Sequence, residues 1–170
     1  MTRRKNVMKS LAGSFLVARP VLQDPSFRRS VVLLLQHNDD GAFGLVVNRA
    51  VSAKGLPFPV YRGGPCESPG LFMLHGHVEW KENADEDGVA PGIFVGDAEC
   101  AQRVSNGAHD DFRFRMFTGY AGWGPNQLEN ELGAGAWAVV AANGPALFDT
   151  PVEDLWANLL PPALPEFSPN

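Results

Sequence analysis

The chain has 170 residues, with 14 Lys and Arg against 19 Asp and Glu and a net charge of −5; 45% of its residues are apolar. That length and composition suit one globular domain with a sizeable core. Four basic residues (Arg3, Arg4, Lys5, Lys9) lie in the first ten positions, leaving 10 basic against 19 acidic, or −9, for the rest; such a body repels phosphate backbones, so nucleic acid is disfavoured except through an N-terminal arm.

In chain order, residues 1–10 read as a mobile basic arm. The basic start before the apolar stretch 11–18 has the outline of a signal peptide, but Gly13 and Ser14 interrupt it and the stretch reads better as a strand. Residues 31–35 are an unbroken apolar run, the mark of a strand covered on both faces. Asn38-Asp-Asp-Gly41 is a turn signal and predicts a hairpin of 30–37 with 42–48. A loop follows over 50–59, with short strands at 60–62, 71–75 and 92–95. Segment 80–91, with five charged residues, reads as a solvated loop. Asp97 can cap a helix running to about residue 105, and 112–117 mostly alternates apolar and charged, as a half-exposed strand does.

Residues 118–132 are the most distinctive stretch. Gly119, Gly122 and Gly124 free the backbone, and Tyr120 and Trp123 add large amphipathic rings. Pro125 suits the first position of a helix, Leu128 and Leu132 share one face of it, and Gly133 can stop it. The expectation is an aromatic, glycine-rich elbow feeding a short helix. A strand at 136–141 follows. Thr150-Pro-Val-Glu153 has the form of a capping box, and Val152, Leu155, Trp156 and Leu159 make an apolar stripe read as core rather than as a partner groove. Pro161 and Pro162 end that helix, and 161–170 reads as a disordered tail. No internal repeat or interdomain linker is evident.

Several groupings could carry chemistry. His75-Gly-His77 could supply two metal ligands, with Cys66 or His37 as a third, but no third ligand is fixed by spacing; the alternative is a strand end with one packed and one exposed histidine. Cys66, after Gly63-Gly64-Pro65, could be a nucleophile on a glycine-rich turn or simply a small apolar side chain. Cys100 falls in a first helical turn, where the dipole lowers a thiol pKa, yet it lies four before Val104 on the apolar face and reads as structural. Asn48-Arg49 at a strand end could bind an anion; equally, Arg49 could pair with a carboxylate while Asn48 closes a turn. The elbow offers backbone N–H groups to an anion, although Pro125 removes one and Glu129 and Glu131 add negative charge. Its architectural reading is that the glycines let Tyr120 and Trp123 tuck against the sheet. No P-loop, dinucleotide fingerprint, Gly-x-Ser-x-Gly or Cys-x-x-Cys is present, so neither cofactor nor metal is expected. Two cysteines make no disulfide framework, and no stretch reaches the ~18–20 apolar residues of a membrane span. A soluble, cytoplasmic protein is the expectation.

The elbow resembles the signature of the AlgH/YqgE family of bacterial proteins. Five further blocks resemble that family in the same order: 11–18, 24–38, 41–49, Tyr61-Arg-Gly-Gly-Pro65 and Leu71-Phe-Met-Leu-His75. The likeness covers residues 11–160. Ala50 replaces the proline usual after Asn-Arg, and Leu35 replaces a cysteine carried by many members, which argues against a redox role there. Cys66 stands where an ordinary residue such as valine is expected. The resemblance implies a single α+β domain, with a bifurcated, mostly antiparallel sheet curled into a partial barrel and flanked by short helices. It implies little about function, since members are described as transcriptional regulators without a settled activity; the expectation is a non-enzymatic binding or regulatory protein of this type, because no catalytic set in the sequence is complete and the body of the chain is acidic. The expected partner is a protein or a small molecule, bound in a cleft formed by Asn48, Arg49, Gly63, Gly64, His75, Tyr120, Trp123 and Gln127. The rival readings are an enzyme using His75, His77 or Cys66, and a DNA-contacting regulator using the basic arm. The oligomeric state is not legible.

Overall fold

The apolar run at 31–35 lies in the middle of the sheet in the computed structural model, which describes residues 9–51, 55–56, 58–80, 88–106 and 113–162. Strand β2 (Val31–Asn38) pairs antiparallel with β1 (Ser14–Ala18) and with β3 (Gly41–Val46). Val31 and Leu33 belong to one core cluster, and Val32 and Leu34 to another. Both faces of β2 are therefore covered, which is why its sequence is continuous rather than alternating. The hairpin forms as expected, with Asn38 Oδ1 accepting from the Asp40 N–H at 2.8 Å. A bulge between Leu34 and Gln36 leaves Leu35 out of register.

The sheet forks at β8 (Phe114–Trp123). Residues 116–118 carry β5 (Val60–Arg62) in parallel on one edge and β6 (Cys66–His75) antiparallel on the other. Residues 121–123 pair with β3. One limb runs β3-β2-β1-β9, with β9 at Trp137–Ala141; the other holds β5 with β4 (Ala50–Val51) and β6 with β7 (Phe94–Val95). All pairings except β5–β8 are antiparallel. The result is a mixed α+β fold with a sheet curled into a half-barrel and a few short helices: α1 (Ala98–Ser105), α2 (Gln127–Gly133), α3 (Gly144–Phe148) and α4 (Leu155–Leu159). Among the described residues, no helix is long and apolar enough to cross a membrane.

Several local expectations hold. Asp97 caps α1 by accepting from the Cys100 N–H at 2.9 Å. Leu155 is fully buried, and Val152, Trp156 and Leu159 pack on the main core, with the Trp156 indole N–H donating to the Ala18 carbonyl at 2.7 Å.

Others need correcting. The elbow is not a turn: β8 runs through it to Trp123, because β3 offers a free edge that extends the strand. Pro125 is not the first helical residue; Asn126, at φ 64, intervenes before α2. Gly133 lies inside α2, and Gly135, at φ 76, makes the reversal. The capping box at Thr150 does not form, since Val152–Asp154 is a tighter 3-10 turn in which the α-helical spacing of the box is lost. Strand β6 begins at Cys66 rather than residue 71, with a register shift between them. Trp80, expected in a solvated loop, is buried in a 3-10 turn, while 81–87 lie outside the described residues. The arm expected at 1–10 and the tail at 161–170 likewise fall largely outside them.

Candidate functional site

Two glycine-bearing backbones meet at the fork. The Gly63 N–H donates to the Thr118 carbonyl at 2.8 Å, and its own carbonyl accepts from Val46 at 2.7 Å. A Cβ on Gly63 would lie 2.4 Å from the Gly119 oxygen, and one on Gly64 would lie 2.2 Å from the Tyr120 carbonyl. Gly119, at φ 76, faces the Cys66 carbonyl. The approach is backbone on backbone, which only glycine allows.

This crossing floors a two-lobed surface cleft. The larger lobe, about 410 Å³, is bordered by Arg62, Gly64, Glu67, Ser68, Thr118 and Gly119 among others. The smaller, about 240 Å³, shares Arg62 and Gly64 with it and adds Arg49, Val46, Pro25 and Ser26. Ser68 is fixed there: its hydroxyl accepts from the Gly119 N–H at 3.0 Å and donates to the Gly70 carbonyl at 2.7 Å.

Asn48 and Arg49 hold the wall of the smaller lobe. Asn48 Oδ1 accepts from the Val31 N–H at 3.0 Å, and its amide donates to the Arg29 carbonyl at 2.9 Å. Arg49 donates to the Arg28 carbonyl, not to a carboxylate. Between these anchors Arg29 sits at φ 57, a left-handed conformation that costs a non-glycine residue on the order of 1–3 kcal/mol. Asn48→Ala removes both anchors of that turn and should cost about 1–3 kcal/mol in a denaturant melt. Asn48→Asp keeps the acceptor for Val31 and should lose less.

The other sequence candidates lie apart from the cleft or are occupied structurally. His75 pairs with Phe114 at one end of β6, whereas Cys66 pairs with Tyr120 at the other. Six positions of β8 separate them, roughly 20 Å. His75 is 1% exposed and stacks on Phe94, with Trp80 beside it. Burial, with the charge of His77 adding to it, brings its pKa down to about 4, so it is neutral near pH 7. Its Nδ1 accepts from the His77 N–H at 3.1 Å, and its Nε2 faces Cys100 Sγ at 3.8 Å. His77 stacks on Trp80 and meets Glu79 at 3.0 Å. His37 is engaged elsewhere: its Nδ1 accepts from the Leu11 N–H at 2.9 Å, which leaves Nε2 to donate to Glu129 at 2.6 Å. That hydrogen bond lowers the Glu129 carboxyl pKa. Among the described residues, no three His, Cys, Asp or Glu side chains gather as metal ligands would.

Tyr120 packs on Phe43 and Phe72. Trp123 is buried, and Gln127 is spent on the Gly124 N–H and Glu131. The two thiols differ sharply. Cys100 is 3% exposed and burial pushes its thiol pKa up, so the expected effect of the helix dipole does not prevail. Cys66 is half-exposed at the cleft. A thiol reagent added to the native protein should titrate Cys66 promptly and Cys100 only after unfolding.

The cleft residues that sequence reasoning missed are Arg62, Glu67, Ser68 and Thr118, and Gly119 was noted only for its backbone. Arg62 had a signal, lying directly before Gly63-Gly64-Pro65. The others reach the cleft only through the β6–β8 pairing.

The AlgH-like family model matches residues 15–164. A UPF0301 protein of Myxococcus xanthus is 37% identical, over 90% of this chain and 91% of its own. One from Nitrosococcus oceani is 35% identical, over 84% and 83%. The solution structure of the AlgH protein of Pseudomonas aeruginosa matches with a TM-score of 0.69 at 28% identity, covering 93% of this chain and 90% of that one. A crystal structure from Corynebacterium diphtheriae matches with a TM-score of 0.66 at 22% identity, covering 93% and 87%, a likeness of fold.

Proposed function

The chain belongs to the AlgH-like family, and on that premise we propose that it is a non-enzymatic binding protein whose ligand occupies the cleft at the fork of the sheet. One observation carries the reading: the larger lobe, about 410 Å³, lies where glycine backbones, two strands and Arg62 converge, and that volume falls in the usual range for small-molecule sites. Regulation is then exerted by the liganded surface on a partner, without a chemical step. The enzymatic reading finds less support, because Cys66 and His75 sit at opposite ends of β6 and a nucleophile needs its base within hydrogen-bond reach.

The test is retention of a small molecule. Protein purified from its own cells, then denatured and examined by mass spectrometry, should release a compound absent from a Thr118→Trp variant. Thr118 is exposed, so the added ring fills the larger lobe without entering the core. Equal release from both, or release of nothing by the wild type, argues against the cleft.

A further inference from the structure

We propose that the ligand of this cleft is a phosphorylated polyol, its phosphate held by Arg49 and Arg62 in the smaller lobe and its hydroxyls by Glu67 and Thr118 in the larger. This rests on the reading of the cleft as a binding site and names its chemistry.

Charge comes first. The body of the chain is acidic, yet Arg28, Arg29, Arg49 and Arg62 gather in one region. Arg49 and Arg62 line the smaller lobe, the Arg28 carbonyl fixes the Arg49 guanidinium, and Arg28 and Arg29 border the hollow next to Trp156. Among the described residues no carboxylate lines the smaller lobe; the nearest along the chain, Asp24, accepts from the Ser26 N–H. Arg62 is exposed, and among the described residues it makes no side-chain hydrogen bond or ion pair. Arg49 uses one donor of five on Arg28. Two guanidiniums from separate segments, joined by the Arg62 N–H donating to the Arg49 carbonyl at 2.7 Å, match a doubly charged, multi-oxygen anion better than a single carboxylate.

The larger lobe sets the rest of the ligand. Among the described residues it has no aromatic ring on which a base could stack. Beyond Arg62, which stands where the two lobes meet, its polar side chains are the Glu67 carboxylate and the Thr118 hydroxyl, neither hydrogen-bonded through its side chain among the described residues, beside the fixed Ser68. A carboxylate at that end accepts from hydroxyls and repels a second anionic group, so the ligand is charged at one end and hydroxylated at the other.

Calorimetric titration of the full chain at low salt, with ribose 5-phosphate, ribose, gluconate and inorganic phosphate as probes, tests this. Ribose 5-phosphate should bind at least ~10-fold more tightly than the other three. Arg62→Ala, at an exposed site that leaves the fold intact, should weaken it by about 10–100-fold, and Arg62→Lys should recover only part of the loss. No binding of ribose 5-phosphate, equal binding of gluconate or ribose, or indifference to Arg62→Ala overturns the assignment. If the compound released from wild-type protein carries no phosphate, this inference falls and the cleft stands. If nothing is released and no probe binds, both fall.

Discussion

Replacing Trp123 with alanine should lower the stability of the protein by about 3–5 kcal/mol. The ring is 5% exposed and sits among Phe27, at a centroid distance of 5.9 Å, and Trp137, at 6.1 Å. Its indole N–H donates to Glu131 Oε1 at 3.1 Å, the oxygen that also accepts from Trp137 at 3.0 Å. Truncation therefore opens a large cavity and removes one of the three donors to the Glu131 carboxylate, the third being the Gln127 amide. Against a total of roughly 5–15 kcal/mol this is a substantial fraction, and a thermal melt should drop by about 6–20 °C. A tryptophan kept for binding a partner would behave otherwise, leaving stability within about ±0.5 kcal/mol. An unchanged melt for Trp123→Ala would mean that the aromatic end of β8 is not architectural.

The second large effect belongs to Gly64. An alanine there places its methyl 2.2 Å from both the carbon and the oxygen of the Tyr120 carbonyl, at a φ of 154°. The obstacle is paired backbone, with no side chain to swing away, so the link between β5 and β6 must part from β8. The cost should exceed about 4 kcal/mol, in the range reserved for strain and overpacking of a fixed core. Gly70→Ala is the matched control. Nothing lies within 4 Å of a Cβ there, and its melt should stay close to wild type. Equal behaviour of the two variants in circular-dichroism melts would show that the close crossing is not needed.

Much of the fold was legible because local rules and tertiary context agree. The β2 run, the turn at Asn38–Gly41 and the Asp97 cap each satisfy a near-neighbour requirement that burial then reinforces. The glycine-rich stretch misled for the opposite reason. Three glycines, a proline and a following apolar pair describe a turn into a helix, and only the free edge of β3, some eighty residues earlier, makes the stretch a strand. The same holds for Gly135: local signals marked Gly133, and the end of the helix is set by where β9 must begin.

The site divides along similar lines. Asn48, Arg49, Gly63 and Gly64 could be picked out by type and spacing, and they meet in space. His75 was paired with His77 as a possible source of metal ligands, but its strand delivers it to the far end of β6, into an aromatic cluster with Cys100. Glu67, Ser68 and Thr118 carry no local signal, because an exposed polar residue on a strand looks the same whether or not it borders a cleft. Arg62 could have been read from its place beside the double glycine. Its standing depends on which side chains line the smaller lobe, where no described residue is a carboxylate, and only the fold can reveal that.

The most direct measurement is an amide chemical-shift map recorded as the compound released from wild-type protein is added back. A ligand in the cleft should move the amides of Arg49, Arg62, Gly64, Ser68 and Gly119, while those of His75, Trp80 and Cys100 stay in place. Shifts gathered at His75, Trp80 and Cys100, with residues 62–68 unmoved, would contradict a binding site at the fork of the sheet.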